Sequence, residues 1–568
     1  MNKTSRRSFL KTASIITVGG ALVQNELLSA PILLLNKRIK RSTQKGELLF
    51  KPYFVQAGKG PHLGMVKSIK DLGEKDWDFP SWAFASDTEW DAFNSNIFTD
   101  AEGVKISNSE GKDKFGINVR WNVEGFGYIY MTADNAGEFY SLPAQGKNQV
   151  FNLNYELAKS KLHKINSRYK KFETDNWTPS REVSAYIDLA RNYFNDAEQN
   201  KNNNERCAAL SQKALQYGMW GGEMMELDNA LKDIKKLGPR KDFFIGCDTK
   251  GYAHMDSDLF LDLFTNVFNY ATITHYLPSF EKEERKYIFE RRDEQFKKLR
   301  ARNVTVEGRP VFWADECCSP DWLLKKSYPE LLKYIEQHTK DLYAHYGDEM
   351  YAWEIINEAH DWGNALHLKP DQMVEIAKLA CEAAKDTNPK VHRLVNNCCI
   401  QADYIQLKQW EENEERFQLI TPHQYIKMLH EAGVDFTITG QQLYHPYTNR
   451  DMQDVIMMTE RLEKYGRPVQ ITELGVTSGP TKETVISGKY EIPDHPYDWH
   501  GPWTEDLQAD WLEQIYTIFR SKPWVEAINW YDFVDPYSFV RNGGLLKSVQ
   551  GEKKAAYERL AKLKQQWN

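Results

Sequence analysis

Tyr351-Ala-Trp-Glu-Ile-Ile-Asn-Glu358 is a short apolar run that ends abruptly in a carboxylate, and Pro468-Val-Gln-Ile-Thr-Glu473 repeats the pattern, its terminal glutamate 115 positions further on. Neither run leaves room for a helix, because His360, Asp361 and Gly363 follow the first and Gly475 and Ser478 the second. Continuous hydrophobic runs of this length read as buried parallel strands. In a closed β/α barrel the C-terminal strand ends meet at the reaction centre, while the opposite face serves stability. Two glutamates at two such ends can face one another across a cleft, as glycoside hydrolysis requires of its acid and its base or nucleophile. Each glutamate taken alone also reads as one half of a strand-end salt bridge.

From Asp242 onward strand-like and helical runs alternate to the C-terminus. The strand candidates are Phe243–Cys247, Asn266–Asn269, Pro310–Trp313, Tyr351–Asn357, Arg393–Asn396, Phe436–Gln441, Pro468–Glu473 and Val525–Trp530. Helix candidates between them include Glu281–Ala301, Tyr328–Tyr346, Pro370–Lys385, Pro422–Ala432, Met452–Tyr465 and Glu505–Phe519. Eight such units predict an α/β fold, a (β/α)8 TIM barrel over residues 239–568. Residues 47–155 carry short alternating segments such as Phe115–Trp121 and Phe126–Thr132 between Gly, Asn and Asp turns, the pattern of an all-β sandwich-like accessory domain. Trp121, Tyr128 and Tyr130 there read either as a glycan platform or as core. Residues 156–238 read as a helical connector, with a polar break at Asn195–Asn204.

The first 30 residues read as an address. Ser5-Arg-Arg-Ser-Phe-Leu-Lys11 resembles the twin-arginine export signal, and the run Thr12–Val23 behind it is too short and too weakly apolar for a membrane span. Residues 31–46 read as a linker, and the mature protein is expected outside the cytoplasm, periplasmic or extracellular, without stable membrane insertion. A net charge of -7 with both signs interspersed gives no basic stripe for nucleic acid. The 17 Trp, 29 Tyr and 27 Phe suit sugar binding, since aromatic rings offer apolar faces and polar edges, and suit a large core as well. Seven cysteines without regular spacing argue against a disulfide-built scaffold; the pairs Cys317-Cys318 and Cys398-Cys399 read as buried thiols, a disulfide contribution or metal ligands. No cofactor is expected, and no metal, because no His-x-His pair or carboxylate cluster of ligand spacing ends a strand.

Several motifs in order resemble glycoside hydrolase family 10, the retaining endo-β-1,4-xylanases, over residues 242–568. Trp353-Glu-Ile-Ile-Asn-Glu358 resembles the family's W-D-V-V-N-E, which implies Glu358 as acid/base. Ile471-Thr-Glu-Leu474 resembles I-T-E-L, which implies Glu473 as nucleophile. Gly440-Gln-Gln-Leu-Tyr-His445 resembles G-x-Q-x-H with one residue extra, leaving Gln442 or His445 as partner of Glu473. Asn396-Asn-Cys398 falls where the family has N-D-Y, and Trp530 with Asp535 and Ser538-Phe539 resembles the final-strand W-G-x-x-D-x-x-S-W. The sugar-holding shell departs from the family: Thr274, His275 and Pro278 stand near its E-N and K positions, Arg309 and Ala314 replace two histidines around Trp313, and Gly475 replaces an Asp.

The resemblance implies double displacement. Glu473 attacks the anomeric carbon, and Glu358 protonates the leaving oxygen and then deprotonates water. Repulsion from an anionic Glu473 is expected to keep Glu358 protonated until the ester forms. Asn357 is expected on the sugar 2-hydroxyl or as a capping amide, Trp530 under the sugar or in barrel packing, and His445 against Glu473 or as a core histidine. His275, Arg309, Trp313, Asn396 and, from the long loop 480–504, Trp499 complete the expected substrate shell, with Tyr497 and Trp503 as further cleft walls. A polysaccharide or oligosaccharide is the expected partner. The rival reading is a glycan-binding or scaffold protein that keeps the barrel without turnover.

Overall fold

A computed structural model of the chain describes residues 45–53, 83–100, 102–315, 317–361, 363–407, 419–443, 450–479 and 498–567. The signal-like segment, His445 and Tyr497 lie outside the described residues.

The described residues begin with eight short strands: β1 (Glu47–Lys51), β2 (Ala83–Ser86), β3 (Ala92–Phe93), β4 (Asn96–Asp100), β5 (Gly103–Asn108), β6 (Gly116–Val123), β7 (Gly127–Ala133) and β8 (Asn148–Asn152). They form two four-stranded sheets, ordered β4-β5-β1-β8 and β3-β2-β6-β7. Every residue of β6 and β7 is buried, so Trp121, Tyr128 and Tyr130 belong to the interior and form no exposed glycan platform. Trp121 donates its indole N–H to Gln212 at 2.9 Å, and Tyr130 packs edge-on against Phe84.

Three helices follow: α1 (Leu153–Thr174), α2 (Arg181–Gln199) and α3 (Asn204–Leu237). The Asn152, Ser180 and Asn203 side chains accept from first-turn amides, which satisfies donors that a helix start leaves unpaired. The expected break at Asn195–Asn204 shrinks to a short turn, because Ala197 buries its side chain and carries α2 on to Gln199.

Then comes the barrel: β9 (Phe244–Asp248), β10 (Tyr270–Thr274), β11 (Thr305–Arg309), β12 (Ala352–Asn357), β13 (His392–Asn397), β14 (Ile438–Gln442), β15 (Val469–Leu474) and β16 (Val525–Trp530). Every neighbouring pair is parallel, and β16 closes onto β9. Two strands sit elsewhere than their apolar runs suggested. Asn266 and Val267 end the helix Ser257–Val267, whose Phe260, Leu261, Phe264 and Val267 are buried at helical spacing, and the strand begins at Tyr270. The third strand stops at Arg309 because Pro310 has no N–H to give the ladder; Phe312 keeps one isolated bridge to Ile356. The helix expected from Glu281 starts at Glu290, after a single turn at Leu277–Phe280. Among the described residues no helix is long and apolar enough to cross a membrane. None of the seven cysteines is in a disulfide; Cys318, Cys398 and Cys399 are buried and Cys317 is exposed.

Buried ion pairs join the N-terminal helices to the barrel. Lys161 and Lys164 of α1 reach Asp451 at 2.6 Å and Asp454 at 2.9 Å, at the start of the barrel helix Met452–Glu460. Arg168 grips Glu226 of α3 and Glu460 of that same helix, each at 2.5 Å. Arg450 donates to Asn118 at 2.7 Å and Thr132 at 3.0 Å in the sandwich. Removing one member of a buried pair strands its partner's charge. Lys161→Ala is therefore expected to cost about 3–5 kcal/mol in chemical denaturation. Lys286→Ala, whose pair with Glu283 is exposed, should stay within about 0.5 kcal/mol.

Candidate active site

Glu358 follows the last residue of β12, and Glu473 lies near the end of β15. Irregularities in pairing re-aim side chains at such strand ends. The β12–β13 register shifts between Glu354 and Ile356, and that of β14–β15 shifts between Gln441 and Gln442, which brings Gln442 opposite Glu473. Gln442 donates to Glu358 Oε1 at 2.6 Å. Gln442 thus bonds one strand-end carboxylate through its side chain and stands beside the other through strand register. Glu358 itself has φ +48°, a left-handed conformation that costs a non-glycine residue about 1–3 kcal/mol. Its amide is held by Asn396 O at 3.0 Å.

The Asn396 amide is the hub of the floor. Its oxygen accepts from Thr472 Oγ1 at 2.5 Å, which fixes the amide's orientation. Its nitrogen faces Glu354 at 2.9 Å, Asn357 Oδ1 at 3.1 Å and Glu473 at 3.4 Å. Arg309, at the end of β11, ion-pairs with Glu473 through Nη2 and lies 3.5 Å from Glu354 through Nε. All four charged or amide groups here, Arg309, Glu354, Asn396 and Glu473, are at most 2% exposed. Burial pushes the Glu354 carboxyl up to about 8 despite Arg309, and burial likewise lifts Glu307, one layer below on β11, to about 7. Tyr270 donates to Glu307 at 2.5 Å.

An aromatic and cationic rim closes around Arg309. Tyr531 has the Arg309 guanidinium 5.7 Å from its ring centre and the Lys250 ammonium 4.0 Å from it, and Lys250 also donates to its hydroxyl. Tyr276 lies within electrostatic reach of Tyr531, Lys250 and Arg309, with its ring 5.8 Å from that of Trp313. Carboxylates held beside an amide, a guanidinium and aromatic faces can bind a sugar ring, attack it and move a proton at its glycosidic oxygen.

Residues 245–563 match the family described as glycosyl hydrolase family 10, more than half of the chain. The chain belongs to glycosyl hydrolase family 10. This family 10 chain is similar to endo-1,4-beta-xylanase B of Thermotoga neapolitana, 23% identical over 294 residues, or 50% of this chain and 75% of that protein. It is also similar to endo-1,4-beta-xylanase A of Caldicellulosiruptor saccharolyticus, 24% identical over 304 residues, or 49% of this chain and 80% of that protein. Among solved structures, native xylanase 10B from Thermotoga maritima aligns at 19% identity and TM-score 0.45, over 59% of this chain and 98% of that one. The protein is a glycoside hydrolase.

Several expected members of the family 10 shell lie elsewhere. His275 is turned into the helix layer, where it contacts Ile273 O at 2.9 Å and Tyr346 Oη at 3.3 Å beside Phe280 and Trp353. Burial holds its imidazole well below the usual histidine range. Trp530 also faces outward: it is fully buried, packs edge-on against Trp511 of the helix Glu505–Arg520, and donates to Gly543 O at 2.9 Å. Strand alternation gives the inward position to Tyr531 instead. Trp499 donates to Glu223 of α3 at 3.0 Å and stacks on Trp503, sealing the helices to the barrel rather than walling a cleft. Gln442 serves Glu358, and among the described residues Glu473 is held by Arg309 and Asn396.

Sequence reading passed over Glu354, Lys250, Tyr276 and Tyr531. A charged residue in mid-strand of a buried run needs a buried partner, and Glu354 carried that signal without naming Arg309 as the partner. Two groups among the described residues could offer ligands to a cation: Glu89, Asp91 and His423, and, beside the site, Glu358, Asp361 and Cys398. The second gathers strand-end and loop residues that no local spacing brings together. Their donors already bond within the protein, Cys398 to Asp361 at 3.1 Å and Asp91 from Thr421 at 2.7 Å.

Tyr531→Ala is expected to lower kcat/KM at least about tenfold, as the loss of a transition-state contact worth about 1.4 kcal/mol does. Trp530→Phe should lower thermal stability while leaving kcat/KM within about twofold. Equal kinetic losses in both variants would contradict the inward and outward assignment.

Proposed function

We propose that this protein is an exported, retaining β-glycanase that cleaves xylan or a related β-glycan by double displacement, with Glu473 as nucleophile and Glu358 as acid/base. The observation that carries the reading is Gln442, which stands in register with Glu473 and donates to Glu358 at 2.6 Å. Glu473 attacks the anomeric carbon as Glu358 protonates the departing oxygen; water, deprotonated by Glu358, then releases the sugar. Arg309 and Asn396 aim Glu473, and Asn357, whose Oδ1 accepts from the same Asn396 amide at 3.1 Å, is the residue proposed to meet the sugar 2-hydroxyl. The relatives named as xylanases support a β-1,4-xylan substrate, while the rim of Lys250, Tyr276 and Tyr531 sets which sugar substituents are accepted.

On a panel of aryl β-glycosides and β-glycans, Glu473→Gln is expected to abolish turnover. Glu358→Ala should retain cleavage of dinitrophenyl glycosides, with azide restoring the second step as a β-glycosyl azide product. Binding without turnover on every member of the panel would favour a non-catalytic glycan-binding protein. Export rests on Ser5-Arg-Arg-Ser-Phe-Leu-Lys11. Replacing Arg6 and Arg7 together by Lys should retain the precursor in the cytoplasm on fractionation; unchanged export would remove that assignment.

A further inference from the structure

Arg309 is one cation facing two carboxylates. Glu473 takes Nη2, and Glu354 lies 3.5 Å from Nε, with both carboxylates also touching the Asn396 nitrogen. That nitrogen carries two hydrogens but faces three acceptors, Glu354, Asn357 and Glu473. Lys250 lies within electrostatic reach of Glu473, whereas Arg309 is the cation that faces Glu354; two buried carboxylates sharing that guanidinium leave Glu354 under-compensated, and a low-dielectric interior relieves this by protonating it. Glu473 must be the anion if it is the nucleophile, so the proton belongs on Glu354.

Resting on that nucleophile assignment, we propose that Arg309 is shared in time. Glu354 is protonated while Glu473 is a free carboxylate, and it gives its proton to solvent when Glu473 becomes an ester, so that Arg309 always keeps one anionic partner. Glu354 takes the proton back when water cleaves the ester, and the cycle balances. The groups that face Glu354 are Glu307 and Arg309 from β11, Asn396 from β13 and Glu473 from β15. Burial sets Glu354 at about 8 in the free protein, with Glu307 and Glu473 adding repulsion and Arg309 and Asn396 opposing it. Esterification deletes the Glu473 repulsion and leaves Arg309 wholly to Glu354, so its affinity for the proton falls. Glu354 and Arg309 are therefore positioning residues, acting on the sugar only through Glu473.

The test uses 2-deoxy-2-fluoro-β-xylobiosyl fluoride on the full-length Glu358→Gln variant, whose acid/base proton is absent and whose activated donor needs none. In the labelling step the Glu473 oxygen forms the bond to carbon as fluoride leaves with the C–F electron pair, and no proton is consumed or released. Near pH 7 an indicator dye in weak buffer should then record about one proton released per label, all from Glu354. Adding Glu354→Gln should bring the release close to zero. Infrared difference spectra of the Glu358→Gln variant should lose a protonated-carboxyl band on labelling, which serves even if the double variant does not fold. Label on Glu473 with no proton release, or release unchanged by Glu354→Gln and so belonging to Glu307, overturns the sharing while leaving the nucleophile in place. No label on the Glu473 peptide overturns the nucleophile assignment and the proposal with it.

Discussion

The interior of this barrel depends on the pairing of Arg309 with Glu473. A carboxylate that attacks carries its charge, and burying that charge at the end of β15 is costly unless a cation stands beside it. The compensation comes from β11, four strands round the barrel and so across its interior, and the price is a second carboxylate, Glu354, crowded against the same guanidinium. Asn396 resolves the crowding in geometry: with Thr472 holding its oxygen, its nitrogen can face only the acidic side. Where family resemblance implies histidines around Trp313, this chain has an arginine that is charged at every working pH. A histidine would titrate as the reaction proceeds; an arginine cannot, and a nearby carboxylate is the group left to do so.

The N-terminal region is bound into the same arrangement. Phe84 and Tyr130 of the sandwich pack against Cys398, Cys399, Ala402 and Tyr404, the segment that follows β13. Cys398 in turn donates to Asp361, and its amide contacts His360, three and two residues past Glu358. Asp91 holds Thr421 and His423 further along the chain. With Lys161, Lys164 and Arg168 of α1 gripping Asp451 and the helix Met452–Glu460, the described part of this region is a buttress fixed to the barrel. The strained backbone at Glu358 needs such over-determined surroundings to persist.

The barrel was legible because buried parallel strands leave uninterrupted apolar runs, and both carboxylates were legible because they end such runs. Asn396 and Gln442 could be named from motif order, but not what they bond, since that depends on register shifts that no local pattern records. The two displaced strands failed for local reasons: Val267 closes a helix whose apolar spacing merges with the next strand, and Pro310 ends a ladder that its apolar neighbours Val311 and Phe312 suggested would continue. Trp530 and Tyr531 are adjacent aromatics, so a shift of one position along β16 exchanges the residue facing the cleft for the one facing the helices. Composition alone gives no preference between them.

The stereochemistry of the first sugar released tests the central claim most directly. Proton NMR of hydrolysis of a β-linked xylo-oligosaccharide, followed faster than mutarotation, is expected to show the β-anomer of the product first and the α-anomer only later. Initial release of the α-anomer would mean a single displacement by water, and Glu473 paired with Arg309 could not then be the group that attacks the sugar.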